Sequence, residues 1–127
     1  MLSIPSILIT DDDQQFREAV RGVLVPRGYR TLLAGSGSEA LDIVQREDVH
    51  VVLLDMHMPC LTGLETMRLV KQRKSRLPCI LLSGRMDDEL RRQAEAAQAF
   101  EVLAKPVSRL QLTRVVELAL ACHFGQN

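Results

Sequence analysis

Aromatic side chains, an excess of either charge and long apolar runs are all scarce in this sequence. Its 127 residues include one Tyr, three Phe and no Trp, which argues against a base-stacking surface for single-stranded nucleic acid. Its Lys and Arg balance its Asp and Glu, 16 against 16. A net charge of zero lacks the electrostatic footprint of a protein that binds nucleic acid or an anionic membrane directly. No apolar run approaches the roughly 18 residues of a membrane span.

Cysteine is also sparse, with Cys60, Cys79 and Cys122 far apart in the chain. An odd number at this spacing fits neither a disulfide framework nor a zinc site, and it suits a reducing compartment. The N-terminal stretch has no basic residue and its apolar run ends at Asp11, which is not the pattern of a signal peptide. We therefore expect a cytoplasmic protein.

The length and composition indicate one globular domain. Hydrophobic residues make up 46% of the chain and charged residues 25%, which argues against disorder. We expect residues 1–127 to form a single domain with its core at residues 5–122, and no output domain within these residues.

Five short apolar runs alternate with segments of helical periodicity. The runs lie at 7–10, 31–34, 49–54, 79–82 and 100–104. The first, third and fourth are apolar on both faces, as central strands of a covered parallel sheet are, so the other two are expected near the edges. The alternation predicts an α/β fold, a doubly wound five-stranded parallel sheet of (βα)5 type, which is the flavodoxin-like three-layer sandwich.

Polar residues directly follow four of the runs, where ligands bind in such folds. They are Asp11, Asp12 and Asp13 after the first run, Asp55 after the third, Ser83 after the fourth and Lys105 after the fifth. Clustered carboxylates repel one another unless a cation is present. Asp11, Asp12, Asp55 and Lys105 carry a charge of −2 together, which one divalent ion neutralises, and hard oxygen ligands favour Mg²⁺. A metal, an amine and a hydroxyl in one crevice suit a phosphoryl group, with a carboxylate as nucleophile.

These residues make the sequence resemble a response-regulator receiver domain over nearly its whole length. The matching segments are Asp11-Asp12, Asp55-Met56-His57-Met58-Pro59-x-x-x-Gly63, Ser83-Gly84, Lys105-Pro106 and Ala34-x-x-Gly37-x-Glu39-Ala40-Leu41. Each segment is weak alone, but four in order at strand ends form a specific signal.

The resemblance implies a role for each matching residue. Asp55 would accept a phosphoryl group from the phosphohistidine of a partner histidine kinase or a phosphotransfer protein. Asp11 and Asp12 would hold Mg²⁺ together with Asp55 and the backbone carbonyl of His57. The Lys105 ammonium and the Ser83 hydroxyl would each bind a phosphoryl oxygen. Gly84 would leave space for the phosphoryl group, and Lys105-Pro106 would be a cis peptide.

The implied function is a Mg²⁺-dependent signalling switch of a two-component phosphorelay, not a turnover enzyme. Its phosphorylation would change the surface around the Ser83 loop and the fourth helix. The partners would be the kinase or phosphotransfer protein and an unidentified downstream target, with no direct nucleic-acid or membrane contact. A weak homodimer is compatible with this interpretation.

Two positions depart from the receiver pattern. Val102 lies where receivers usually carry the Tyr or Phe whose ring turns inward as a switch, and Phe100 is predicted on the same strand face as a partial substitute. Gln98 lies where a Gly usually ends the fourth helix, which suits Gln poorly if φ is positive there.

Two other functions remain open at this point. Asp11 and Asp13 resemble the nucleophile and acid/base of haloacid-dehalogenase phosphatases, although Asp13 is interpreted here as a helix cap. The absence of a ring at Val102 keeps open a receiver-like interaction module that works without phosphorylation.

Overall fold

The computed structural model describes residues 4–123, in which five strands and five α-helices alternate, with one short 3-10 helix, Val25–Arg27, directly after α1. In chain order they are β1 Ser6–Thr10, α1 Gln14–Leu24, β2 Arg30–Ala34, α2 Gly37–Arg46, β3 Val51–Asp55, α3 Gly63–Arg73, β4 Cys79–Ser83, α4 Asp88–Ala96, β5 Glu101–Ala104 and α5 Arg109–His123. All neighbouring strands are parallel, in the order β2-β1-β3-β4-β5. The predicted doubly wound fold is confirmed, and β2 and β5 are the edge strands.

Alternate residues of the strands face two separate apolar layers. Leu8, Leu54 and Leu81 pack with helices α2, α3 and α4, whereas Ile9 and Leu53 pack on the other side with α1 and α5. Because both faces of the central strands are covered, β1, β3 and β4 are buried along their whole length. None of the helices within residues 4–123 combines the length and apolarity that a membrane-spanning segment needs.

Side-chain hydrogen bonds cap the N-termini of α1, α2 and α3, which begin close to the ends of the preceding strands. Asp13 accepts hydrogen bonds from two backbone N–H groups at the start of α1 and is its N-cap, as expected. Ser36 accepts from the N–H of Glu39 at the start of α2, but the Glu39 carboxylate turns to the N–H of Gly35 at 2.6 Å. The complete capping box is at Thr62 and Glu65, at the start of α3.

The surroundings of Phe100 correct one prediction. Phe100 precedes β5 and packs in the layer of α1 and α5, with its ring edge-on to His123 at 6.0 Å between centroids. Val102 packs in the opposite layer. Alternation of faces holds only inside a strand, and Phe100 lies in the bend before it, so Phe100 does not substitute for a ring at position 102.

Helix α4 is short and thinly packed, and it ends in an unusual backbone conformation. Its buried residues are Leu90 and Ala94. Two residues after its last turn, Gln98 has φ of +67°. The φ at this position is therefore positive, which is the case that suits Gln poorly, and a side chain there is strained relative to glycine.

Candidate functional site

The candidate site lies at the carboxyl ends of β1 and β3, where the strand order reverses. Asp11 follows β1 and Asp55 ends β3, and these two residues are 1% and 4% exposed. The Asp11 N–H bonds to the carbonyl of Ala34, and the Met56 N–H bonds to the carbonyl of Leu82. Continued backbone pairing past the strands therefore fixes both carboxylates at the bottom of one crevice.

Lys105 reaches into this crevice from the end of β5. Its Nζ lies 2.9 Å from Oδ2 of Asp11 and 3.0 Å from Oδ1 of Asp55. The same ammonium lies 4.1 Å from the centre of the Phe16 ring, at cation–π distance. The Lys105-Pro106 peptide is cis, as expected. One cation therefore joins the residues that end β1, β3 and β5.

Burial and charge shift two pKa values in the crevice. Burial, reinforced by the neighbouring charge of Asp11, raises the pKa of Asp55 above its ordinary 3.8, although the hydrogen bond from Lys105 opposes this. Burial alone would lower the pKa of Lys105, but its hydrogen bonds to Asp11 and Asp55 outweigh burial and raise it. Lys105 is thus firmly cationic, while Asp55 lacks full charge compensation.

Three carboxylates are close enough to share a cation. Asp11, Asp12 and Asp55 offer ligand oxygens that lie within 4.8 Å of one another. Asp12 is exposed whereas the other two are buried, so the cluster opens to solvent on one side. Oxygen ligands with room for water match the preferences of Mg²⁺, and a divalent charge would offset the −2 of this cluster with Lys105. The donor set therefore fits the ion.

Asp13 belongs to the helix and not to this cluster. Its Oδ1 accepts from the N–H groups of Gln15 and Phe16 at 2.9 and 3.4 Å. Its own N–H donates to Oδ1 of Asp11 at 2.9 Å. Asp13 therefore caps α1 with its side chain and orients Asp11 with its backbone.

Ser83 ends β4 beside the crevice, but its hydroxyl is bonded elsewhere. It donates to the Arg85 carbonyl at 2.7 Å and accepts from the Arg85 N–H at 3.1 Å. Its oxygen also lies 3.3 Å from Nε2 of His57. The Ser83 carbonyl accepts from the Lys105 N–H at 2.8 Å, but among the described hydrogen bonds none joins the Ser83 hydroxyl to Asp55 or Lys105.

The backbone after β3 is held tightly at His57 and Gly63. The His57 backbone N–H lies near enough to the Asp55 carboxylate to lower the pKa of that group, and the Gly63 N–H donates to the Met56 carbonyl at 3.0 Å. A Cβ on Gly63 would collide with the carbonyl oxygen of Asp55. The start of α3 therefore packs directly against the backbone at the end of β3, which positions Asp55 and the loop that contains His57.

The sequence analysis missed two contributors to the site, Phe16 and Arg17. The Phe16 ring lies under Lys105, and Arg17 donates from Nη1 to the Asp11 carbonyl at 2.6 Å. The helical spacing from Asp12 to Phe16 could have indicated that Phe16 faces the crevice.

Comparisons with known proteins agree with this geometry. Residues 7–117 match the model of the response regulator receiver domain. Response regulator MprA of Mycolicibacterium vanbaalenii is 37% identical over 106 residues, which cover 84% of this chain and 46% of that protein. Response regulator RR06 of Streptococcus pneumoniae is 29% identical over 119 residues, 94% of this chain and 54% of that protein. The chain thus spans about half the length of these relatives.

Two solved structures share the architecture over their full length or nearly so. A response regulator receiver domain from Clostridium thermocellum has 30% identity and a TM-score of 0.89, with 94% of this chain and 96% of that chain covered. Chemotaxis protein CheY4 of Vibrio cholerae has 27% identity and a TM-score of 0.89, with 93% and 100% covered. Fold, crevice and sequence together define a signalling receiver domain. This chain belongs to the response regulator receiver family.

Proposed function

We propose that this receiver domain is a phosphoryl-accepting switch in which Asp55 is the phosphoacceptor. The observation that carries the proposal is the ion pair between the buried Asp55 carboxylate and Lys105 Nζ, 3.0 Å apart. It lies beside Asp11 and Asp12 at the reversal point of the sheet. A buried carboxylate that is short of charge compensation and borders an open crevice suits a nucleophile for phosphorus.

The transfer balances with the groups in the crevice. An Asp55 oxygen forms a bond to phosphorus while the bond between phosphorus and the donor nitrogen breaks. That nitrogen belongs to the imidazole of a phosphohistidine in a kinase or phosphotransfer protein. The leaving nitrogen takes up the electron pair and a proton from water. Lys105 is already placed to neutralise a phosphoryl oxygen bound to Asp55.

The metal ligands we propose are the carboxylates of Asp11, Asp12 and Asp55 and the backbone carbonyl of His57. Bound there, Mg²⁺ would neutralise charge that develops on the transferring phosphoryl oxygens. An added Cβ at Gly84 would have no atom within 4 Å, and the role we propose for this glycine, which follows Ser83, is to leave space for the phosphoryl group. The Ser83 hydroxyl would then turn to a phosphoryl oxygen.

The arrangement favours a switch over a phosphatase. The haloacid-dehalogenase alternative needs Asp13 as acid/base, but the Asp13 carboxylate caps α1. It also gives Asp55 no role, whereas Asp55 lies at the centre of the crevice. We infer that the domain accepts a phosphoryl group and loses it slowly by hydrolysis, without substrate turnover.

The wider setting we propose is a cytoplasmic two-component phosphorelay. The single receiver domain of residues 1–127 would take its phosphoryl group from a histidine kinase or phosphotransfer protein. Its downstream target would be reached through the surface around the Ser83 loop and α4, without direct contact with nucleic acid or membrane. The named response regulators among its relatives support this setting.

Covalent labelling tests the proposal. Incubated with acetyl phosphate and Mg²⁺, the protein should gain one phosphoryl group, measured by intact-protein mass spectrometry and removed by hydroxylamine. Asp55→Asn should gain none, while Asp13→Asn should be labelled like the wild type. Equal labelling of Asp55→Asn would overturn the assignment. A wild type that takes no label would favour the phosphorylation-independent module.

A further inference from the structure

We propose that the His57 imidazole is a positioning residue that holds the Ser83 hydroxyl away from Asp55 until phosphorylation. The inference rests on the proposed function, because it concerns the movement of Ser83 toward a phosphoryl group on Asp55. It gives the side chain of His57 a role separate from that of its backbone carbonyl.

The hydrogen bonds of Ser83 define the direction of the His57 contact. The only hydroxyl proton of Ser83 is directed at the Arg85 carbonyl, 2.7 Å away. We therefore assign Nε2 of His57, at 3.3 Å, as a donor to the Ser83 oxygen, beside the N–H of Arg85 at 3.1 Å. One donated and two accepted bonds use the full capacity of a hydroxyl. Ser83 is completely buried, so no bond to Asp55 can form until one of these breaks.

His57 connects the phosphoacceptor to this hydroxyl. Its backbone N–H lies near enough to the Asp55 carboxylate to lower the pKa of that group, while its ring contacts Ser83 on the neighbouring strand. A new group on Asp55 is therefore added beside the residue whose ring contacts Ser83. The hydroxyl can reach a phosphoryl oxygen only by giving up its contacts with His57 and Arg85, so these contacts bias the domain toward the unphosphorylated arrangement.

A cleft beside His57 gives its ring room to move when Ser83 leaves. The cleft has a volume of about 400 Å³ and is bordered by Met56, His57, Arg85 and Leu90, the last from α4. Val102, by contrast, is 8% exposed among apolar side chains and has no ring to turn. The movable ring next to Ser83 is thus that of His57, which faces α4 and not β5.

Affinity for beryllofluoride, a mimic of the phosphoryl group, tests the inference with matched variants. In His57→Asn the side-chain amide lies nearer the backbone, about where Nδ1 of the imidazole lies, so the hydrogen bond to Ser83 is lost. In His57→Gln the amide reaches about as far as Nε2, so an N–H donor to Ser83 remains. Without the bond, we expect beryllofluoride with Mg²⁺ to bind about threefold more tightly, the size of effect that one net hydrogen bond produces. His57→Gln should keep the wild-type affinity.

Two further measurements separate this role from a general structural one. In a Ser83→Ala background, His57→Asn should no longer change the affinity, because its partner is absent. In the metal-free wild type, imidazole ¹⁵N NMR should show a protonated Nε2 whose shift changes in Ser83→Ala.

The outcomes distinguish failure of this inference from failure of the proposed function. We call the contact between the His57 ring and the Ser83 hydroxyl the His57 latch. Equal affinities for His57→Asn and His57→Gln, or an effect that persists without Ser83, would overturn the latch while acetyl phosphate still labels Asp55. A wild type that takes no label and binds no beryllofluoride would overturn the proposed function, and the latch with it. That second failure is recognised by the absence of label on Asp55.

Discussion

At the scale of single residues, four aspartates near one crevice have four different surroundings. Asp11 is bonded to Lys105 and to the backbone of Asp13. Asp12 is exposed and adds ligand oxygens to the cluster, Asp13 caps a helix, and Asp55 is buried with a raised pKa. Backbone position therefore gives four identical carboxyl groups different surroundings. Under the proposed function, Asp11, Asp12 and Asp55 would be metal ligands, Asp55 would also be the nucleophile, and Asp13 is a helix cap.

The difference between Asp12 and Asp13 predicts that their mutations affect different quantities, metal affinity for Asp12 and stability for Asp13. Asp12→Asn removes a charged ligand, so Mg²⁺ affinity and the rate of labelling by acetyl phosphate should both fall. Asp13→Ala should leave Mg²⁺ affinity close to the wild type but lower the free energy of unfolding by about 1 kcal/mol, because α1 loses its cap. Isothermal titration with Mg²⁺ and urea unfolding measure the two quantities. Weaker metal binding in the Asp13 variant than in the Asp12 variant would contradict the assignment and favour the phosphatase.

The raised pKa of Asp55 predicts a pH-dependent gain in stability for Asp55→Asn. Because burial raises the pKa in the folded state, the folded protein binds this proton more tightly than the unfolded chain does. Ionised Asp55 therefore costs stability above its raised pKa, and this cost disappears as the pH falls toward 3.8. Urea unfolding in EDTA should show Asp55→Asn more stable than the wild type at neutral pH, with a difference that shrinks on acidification. Asp42→Asn, on an exposed face of α2, is the control. A difference that grows on acidification would contradict the shift.

At the scale of elements, the packing of helix starts against strand ends supports the crevice. Gly63 opens α3 under the Asp55 carbonyl, and a Cβ there would also meet the backbone of Met56. This glycine is needed for close approach, since its φ is not in the positive range.

Gly63→Ala should therefore lower the free energy of unfolding by about 1–3 kcal/mol, as overpacking does. The Asp55–His57 backbone should shift, and labelling by acetyl phosphate should slow. Gly22→Ala is the matched control, because α1 leaves open space at that position. It should stabilise the protein by about 0.5–1 kcal/mol. Urea unfolding of both variants gives the comparison, and equal effects would refute the close contact at Gly63.

The end of α4 predicts a stabilising substitution. Gln98 has a left-handed backbone, so Gln98→Gly should raise the free energy of unfolding by up to about 1 kcal/mol. Ala97→Gly, at a residue with φ of −88°, should lower it by about 0.5–1 kcal/mol. Thermal and urea unfolding report both, and destabilisation by Gln98→Gly would show that its side chain makes contacts that exceed the strain.

The sequence predicted the elements and the strand-end residues well because both follow from regular geometry. Parallel strands bring their carboxyl ends together, so Asp11, Asp55 and Lys105 had to converge once five βα units were recognised. Phe100 was misplaced because it lies in a bend, outside the alternation. The spacing of Ser36 and Glu39 is that of a capping box, but Glu39 bonds to the N–H of Gly35 instead, because spacing alone does not determine which nearby N–H is free.

The orientation of Ser83 could not be predicted for a related reason. Its position at the end of β4 follows from the strand pattern, but the direction of its hydroxyl depends on the loop at Arg85 and on the His57 ring. Both belong to irregular segments, where no period relates sequence to side-chain direction. Contacts of this kind are decided by the assembled loops.

At the scale of the whole molecule, the sheet separates two layers that differ in their connection to the site. One layer contains α1 and α5 and receives Phe16, Phe100 and Leu103. The other contains α2, α3 and α4 and receives Val102 and Met56. The Ser83 loop leads directly into α4 and so into the second layer.

The final prediction is that phosphorylation changes the segment Ser83–Leu90 far more than β5. Ser83 must break its bonds to Arg85 and His57 to reach a phosphoryl oxygen. It thereby disturbs the loop that precedes α4, whose two buried residues anchor it weakly. Val102 is stiff about χ1 and has no ring to relay the change into β5.

Amide ¹H–¹⁵N shifts and hydrogen exchange, recorded with and without beryllofluoride and Mg²⁺, should therefore show their largest differences at Ser83–Leu90 and small ones at Glu101–Ala104. Asp55→Asn treated in the same way is the control for effects of the ions alone. Changes concentrated in β5, with the Ser83 loop unaffected, would place the switch on the opposite side of the site.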